Sequence, residues 1–92
     1  MIRSFRSKAL KRFWTKNDGS KISVDWQSRI AIILDRLDAA SRPTDLNLPG
    51  FDFHSLKGGS RGRYAVKVSG NYRITFGWEE NDAIDVHLED YH

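Results

Sequence analysis

The 92-residue chain has no cysteine, only two prolines, and no hydrophobic run longer than the five residues Ile30–Leu34. The lack of cysteine excludes a disulfide framework, a thiolate nucleophile and a thiolate metal cluster, and it is typical of a reducing compartment. A membrane-spanning helix needs about 20 apolar residues, and the first residues lack the apolar stretch of a signal peptide. We therefore expect a cytoplasmic protein that folds as a single domain over residues 1–92 around one hydrophobic core.

Charges of one sign are missing from whole segments. Residues 1–21 hold seven Lys or Arg and one acid, residues 53–78 hold five Lys or Arg and no acid, and residues 79–92 hold six acids and no Lys or Arg. Two basic stretches suit a polyanion, most simply nucleic acid, because each neutralised phosphate releases counterions. For any single lysine, the alternative is ordinary solvated surface charge.

The N-terminal half has the periodicity of two amphipathic helices. The first ends at Asn17-Asp18-Gly19; the second begins at Ser23 or Asp25 as N-cap and ends near Ser41, because Pro43 disfavours a helical conformation at the preceding residue. We expect the helices to pack as an antiparallel pair on one core. Their apolar stripes are Phe5, Ala9, Leu10, Phe13 and Trp14, and Trp26, Ile30, Ile33, Leu34 and Leu37.

The C-terminal third has the period of two that is typical of strands. Turns at Gly70-Asn71 and at residues 79–82 predict a three-stranded antiparallel meander, with residues 2–4 as a further edge strand. Residues 42–62 lack a sustained period and predict a long loop. The fold class is therefore α+β: two N-terminal helices packed on a small twisted antiparallel sheet.

Strict alternation assigns the two faces of this sheet. Ile84, Val86 and Leu88 are predicted to face the helices. Arg73 and Thr75, with Lys67 on the neighbouring strand, are predicted to line an open face rich in cations. Further cations flank it in the sequence at Lys57, Arg61 and Arg63.

The three histidines are the first candidates for proton transfer, because imidazole titrates near neutral pH. No HExxH or paired-cysteine spacing is present, so we expect neither a metal nor a cofactor. A reaction that needs neither is the cleavage of RNA by its own 2′-hydroxyl, which requires proton-transfer groups and cations around the phosphate. His54, Asp90, His92, Lys57 and Arg73 fit these roles, although a hydrogen-bonded structural histidine is the commoner fate of any one His.

Four segments make the chain resemble the HigB toxins of the RelE/ParE superfamily, of the plasmid maintenance killer type. They are residues 1–5 (MIRSF), 54–58 (HSLKG), 71–76 (NYRITF) and 89–92 (EDYH). The resemblance spans essentially the whole chain. It implies a RelE-like fold and a toxin that cuts messenger RNA in the ribosomal A site without metal. It also implies a HigA-type helix-turn-helix antitoxin as partner, with operator DNA bound only through the toxin–antitoxin complex.

The resemblance also implies site residues. His54, Asp90, Tyr91 and His92 match the family's active-site cluster, and Lys57 and Arg73 match its phosphate-side cations. We expect His92 or His54 to transfer protons, Asp90 to orient a histidine, Arg73 and Lys57 to stabilise charge, and Tyr91 to place the substrate. Arg61, Arg63 and Lys67 are further expected RNA contacts.

One geometric condition follows from the alternation. It sends Asp90 and His92 to the helix side of the last strand, so that strand must end or twist near Glu89. His87 is expected on the open face or its edge, outside the site. Two other functions share the charge pattern: a basic module that binds RNA or the ribosome without cutting, and a subunit that binds a partner protein.

Overall fold

Two helices precede a four-stranded antiparallel sheet of order β1-β2-β3-β4 in the computed structural model, which describes residues 1–60 and 62–90. This confirms the α+β class. The elements are α1 (Lys8–Lys16), α2 (Val24–Ala39), β1 (His54–Ser55), β2 (Arg63–Lys67), β3 (Tyr72–Glu79) and β4 (Asp82–Asp90), with short 3-10 turns at Pro43–Leu46 and Gly58–Ser60.

The end of α1 and both ends of α2 lie within about two residues of the predicted positions. Phe5, predicted on the apolar stripe of the first helix, instead precedes α1 and pairs with Val86 of β4. The Ser7 hydroxyl accepts a hydrogen bond from the Leu10 N–H at 3.2 Å and starts α1, as expected of an N-cap serine. Asn17 ends α1 in the left-handed conformation, at a φ of 53°. Ser23 stands at the N-cap of α2, without a side-chain hydrogen bond.

The hydrophobic core lies between the helices and one face of the sheet. It is formed by fully buried side chains from both layers, and the Trp26 ring of α2 packs 4.6 Å from the Tyr72 ring of β3. None of the described helices is long and apolar enough to cross a membrane. Fully buried core residues include Leu10, Ile30, Ile33, Leu34, Leu37, Leu46, Val66, Ile74, Phe76 and Val86.

The sheet has one more strand than predicted. β1 lies inside the segment predicted as a loop and pairs with β2 through His54 opposite Ala65 and Ser55 opposite Tyr64. A strand of two residues has no detectable period, so only its partner reveals it. The strand matters because it fixes His54 in the sheet.

A β-bulge corrects the predicted face of Ile84. The register shifts between Thr75 and Gly77, so Ile84 pairs with Gly77 on the face away from the helices. Asp85 takes a φ of 50° at this point. The extra residue reverses the alternation, and Val86 and Leu88 still pack in the core as predicted.

The N-terminal segment covers the outer edge of β4, and extends the predicted edge pairing to residue 6. It runs parallel to β4, with the Arg3 and Arg6 N–H groups donating to the carbonyls of Ala83 and Val86, each at 2.8 Å. The Arg3 guanidinium also contacts carboxylates at the β3–β4 turn, at 2.6 Å to Glu79 and 2.7 Å to Asp82.

Candidate active site

The register brings three of the predicted cations, Arg63, Lys67 and Arg73, to the same face of the sheet as His54, opposite the helices. Directly paired residues share a face, and Lys67 lies opposite Arg73. In the next row His54, Ala65 and Thr75 lie side by side. Strand spacing puts the Cα atoms of His54 and Arg73 about 12 Å apart, which long side chains can bridge to a common phosphate. We call His54, Lys67 and Arg73 the basic face.

The basic face is less open than predicted. Thr75, expected to be exposed, is fully buried, and so is Ala65. Arg63 explains part of this burial: its Nη2 donates to the Thr75 hydroxyl at 2.9 Å and to the Asp85 carbonyl at 2.8 Å. The guanidinium therefore lies across the sheet and satisfies two polar groups of the fold.

The environment of Arg63 differs from that of a free surface cation. Burial, followed by repulsion from Arg6, lowers the pKa of Arg63. Lys57 and Lys67 are exposed, by contrast. Of the cations predicted to contact RNA, Lys57 and Lys67 can reach a ligand without breaking a described contact of the fold.

His54 is half-buried at the start of β1. Its Nδ1 lies 3.0 Å from the backbone carbonyl of Asp52. The ring is thus held from one side by the loop that precedes the strand, and its Nε2 makes no hydrogen bond to residues 1–60 or 62–90.

The end of β4 holds the remaining predicted residues. The strand keeps its pairing through Asp90, which lies opposite Tyr72 and therefore on the helix side, with an exposed side chain. By this register Asp90 and His54 are on opposite faces, and the described part of β4 ends at Asp90, one residue beyond Glu89, near which the strand was expected to end or twist. Tyr91, His92 and Arg61 lie outside the described residues.

Two residues of β4, which the sequence analysis left outside the site, also lie on this face. His87 is opposite Thr75, in the same row as His54, and Glu89 is opposite Arg73. Glu89 therefore places a carboxylate beside Arg73, although residues 53–78, which contain the predicted cations, include no acidic residue. The Nδ1 of His87 is buried and has no hydrogen-bond partner among residues 1–60 and 62–90. The alternation of the sequence correctly predicts the face of His87, whereas only the strand register reveals that Glu89 lies opposite Arg73.

Comparison with known proteins identifies the family of this fold and site. A sequence profile described as the RelE-like toxin HigB of type II toxin–antitoxin systems matches residues 3–92. The chain belongs to the HigB-like toxin family. A curated relative of this HigB-like toxin is the Endoribonuclease HigB of Proteus vulgaris, which is 36% identical over 92 residues, the full length of both chains.

Solved structures agree with this family at the level of the fold. The HigB-like toxin superposes on a mutant of YafQ from E. coli with a TM-score of 0.60 and 11% identity, covering 99% of this chain and 94% of that one. It superposes on the YoeB–YefM complex from Staphylococcus aureus with a TM-score of 0.59 and 15% identity, covering 100% and 98%. The sequence profile and the Proteus vulgaris relative confirm the family resemblance seen in the sequence motifs, and a toxin of a type II toxin–antitoxin system has an antitoxin as partner.

Proposed function

We propose that this HigB-like toxin is an endoribonuclease that cuts messenger RNA in the A site of the ribosome, using the 2′-hydroxyl of the RNA as nucleophile and no metal. The cleavage would stop translation and growth in the cytoplasm. The observation that carries the proposal is the placement of an imidazole, His54, on the same sheet face as Lys67 and Arg73, in a chain whose full-length relative is named an endoribonuclease.

The reaction assigns a task to each group. One imidazole, His54 or His92, accepts the proton of the 2′-hydroxyl as its oxygen attacks phosphorus. The other protonates the 5′ oxygen that leaves, and the product is a 2′,3′-cyclic phosphate. Arg73 and Lys57 stabilise the charge that develops on the phosphoryl oxygens.

The remaining residues position the substrate or the catalytic groups. In the proposal, Tyr91 stacks on a base and Asp90, next to it in sequence, orients a histidine of the C-terminal segment. Lys67, Arg61 and Arg63 provide backbone contacts to RNA. For Arg63 this requires exchange of its hydrogen bonds to Thr75 and Asp85 for a phosphate.

The proposed partner is a HigA-type helix-turn-helix antitoxin that keeps the toxin inactive and carries the complex to operator DNA. Support for an antitoxin comes from the family itself. A pull-down of the protein encoded beside this toxin, with operator binding measured with and without the toxin, tests the assignment.

The cleavage is tested in a translation extract supplied with ribosomes and a defined messenger RNA. We expect new RNA ends with a 2′,3′-cyclic phosphate, which fall by 10²–10⁴-fold for His54→Ala or His92→Ala, the range for loss of a general base or acid. Lys57→Met should weaken cleavage, whereas Arg36→Met, which removes an exposed cation from α2, should not.

The same extract distinguishes the alternative function. Inhibited translation with intact messenger RNA would contradict cleavage and identify a basic module that occupies the ribosome. Its charge pattern is the same, but it needs no proton-transfer groups, so His54→Ala would then inhibit as strongly as the wild type.

A further inference from the structure

Arg29 of α2 is tied to the loop that carries His54. We propose that Arg29 is a positioning residue: it holds residues 50–52 so that the Asp52 carbonyl keeps the proton of His54 on Nδ1 and leaves Nε2 to accept a proton from the substrate. This inference rests on the proposed function, and it assigns the role of base, which that function leaves open between His54 and His92, to His54.

Arg29 makes two kinds of contact with this region. Its Nη2 donates to the Gly50 carbonyl at 2.6 Å and to the Lys67 carbonyl at 2.8 Å, and its Nε also donates to Lys67 at 3.1 Å. Its guanidinium carbon lies 4.9 Å from the centre of the Phe51 ring, within cation–π range. One planar group therefore joins α2, the loop and the end of β2.

The loop continues this connection to His54. Phe51 is buried, and its carbonyl accepts a hydrogen bond from the Lys67 N–H at 2.8 Å. Asp52 follows in the left-handed conformation, at a φ of 49°. An Asp in this region costs free energy, so the contacts around Phe51 must hold it there. The result is a backbone carbonyl 3.0 Å from the His54 Nδ1.

This contact determines the tautomer. A carbonyl oxygen can only accept, so Nδ1 must carry the hydrogen. A neutral imidazole has one N–H, which leaves the lone pair on Nε2. Only that nitrogen can then act as a general base, and its direction is set by the loop.

The test reads the tautomer directly by ¹⁵N NMR of the folded toxin labelled at histidine, at about pH 8.5, where an ordinary imidazole is neutral. The variants are Arg29→Met, Arg29→Lys and the matched Arg36→Met on the same helix. We expect the Nδ1–H form of His54 in the wild type and Arg36→Met, and a mixture of tautomers in Arg29→Met. Lysine keeps the charge but lacks the planar guanidinium, which donates several hydrogen bonds and stacks on Phe51. The fraction of the Nδ1–H tautomer in Arg29→Lys should therefore be intermediate.

Single-turnover cleavage on programmed ribosomes supplies the second readout. The rate at saturation should fall at least ~10-fold in Arg29→Met, because misplacement of a catalytic group costs up to about 10²-fold, while the half-saturating concentration stays within about 2-fold. An Nε2–H tautomer in the wild type, or an unchanged Nδ1–H tautomer in folded Arg29→Met, overturns the inference. If Arg29→Met does not fold, the Arg29→Lys spectrum decides in the same way.

These outcomes separate the two proposals. Full cleavage by His54→Ala would remove His54 from the mechanism and refute its proposed catalytic role, whatever the tautomer. A wild-type toxin that cuts RNA through His54 but carries the hydrogen on Nε2 would leave the proposed function intact and refute the role of Arg29.

Discussion

Replacement of Arg63 by methionine tests whether this cation belongs to the fold or to the RNA site. Methionine keeps an apolar stem of similar length and removes the donors to Thr75 and Asp85. A hydrogen bond from a charged group contributes about 1.5–3 kcal/mol. The partial exposure of Arg63 and the desolvation of its guanidinium offset part of the stabilisation by the two hydrogen bonds. We therefore expect the variant to lose about 2 kcal/mol in the free energy of unfolding.

The matched variant is Lys67→Met on the same strand, where an exposed ammonium is lost. We expect its unfolding free energy to change by less than about 0.5 kcal/mol. Urea unfolding followed by circular dichroism measures both. For a domain of this size the Arg63 variant should melt roughly 10 °C lower, and Thr75→Val should be non-additive with Arg63→Met because the two side chains share a hydrogen bond.

The reasoning fails if Arg63→Met unfolds like Lys67→Met. If it also binds RNA more weakly, the guanidinium acts at the phosphate and its contacts across the sheet contribute nothing measurable. A large loss of stability with little change in cleavage by the remaining folded fraction is the result that supports a structural role.

Three further outcomes follow from described contacts. Phe76→Ala, in the fully buried core, should cost about 3–5 kcal/mol, measured by urea unfolding; a loss below about 1 kcal/mol would contradict its burial. Ser7→Ala should lower the free energy of unfolding by about 1 kcal/mol, because it removes the N-cap hydrogen bond of α1. The Ser23 side chain makes no such bond, so Ser23→Ala should cost less. Equal melting temperatures of the two variants would refute this difference. The hydrogen bond from Arg3 lowers the pKa of Asp82 in the folded toxin. The stabilisation by the Asp82 carboxylate is therefore complete above the pKa that Asp82 has in the unfolded chain, and it is lost as the pH falls through its folded pKa. The melting temperatures of wild type and Asp82→Asn should converge in acid, and a difference that stays constant with pH would contradict this contribution.

Local patterns made most of the fold predictable. The stripe around Ile30 and Leu34 needs only helical spacing, and the β3–β4 turn needs only the break in alternation at residues 79–82. β1 could not be predicted, because two residues have no period and their pairing with Ala65 is not local. The bulge could not be predicted either. Ile84, Val86 and Leu88 alternate without interruption in the sequence, but the bulge at Asp85 turns the side chain of Ile84 to the opposite face of the sheet.

The candidate site was predictable in composition and less so in geometry. The chemistry of the side chains and the family resemblance both indicated His54, Lys57 and Arg73. Alternation put Arg73 and Lys67 on one face, as the register shows. The burial of Thr75 depends in part on the Arg63 side chain that lies over it, and the periodicity of the sequence does not predict the position of a single long side chain. No sequence pattern indicates Arg29, because its proposed role depends on the carbonyls of Gly50 and Lys67, which are distant from it in the sequence.

The parallel pairing of residues 2–6 with β4 has a consequence for synthesis of the toxin. These residues are made about 80 residues before their partners Ala83 and Val86. Until β4 emerges, β3 is paired on one side only, with β2, and the N-terminal segment has no strand to pair with. Because a domain folds as a unit, the nascent chain cannot complete this sheet, or bury the edge of β4 under residues 2–6, until β4 has been made.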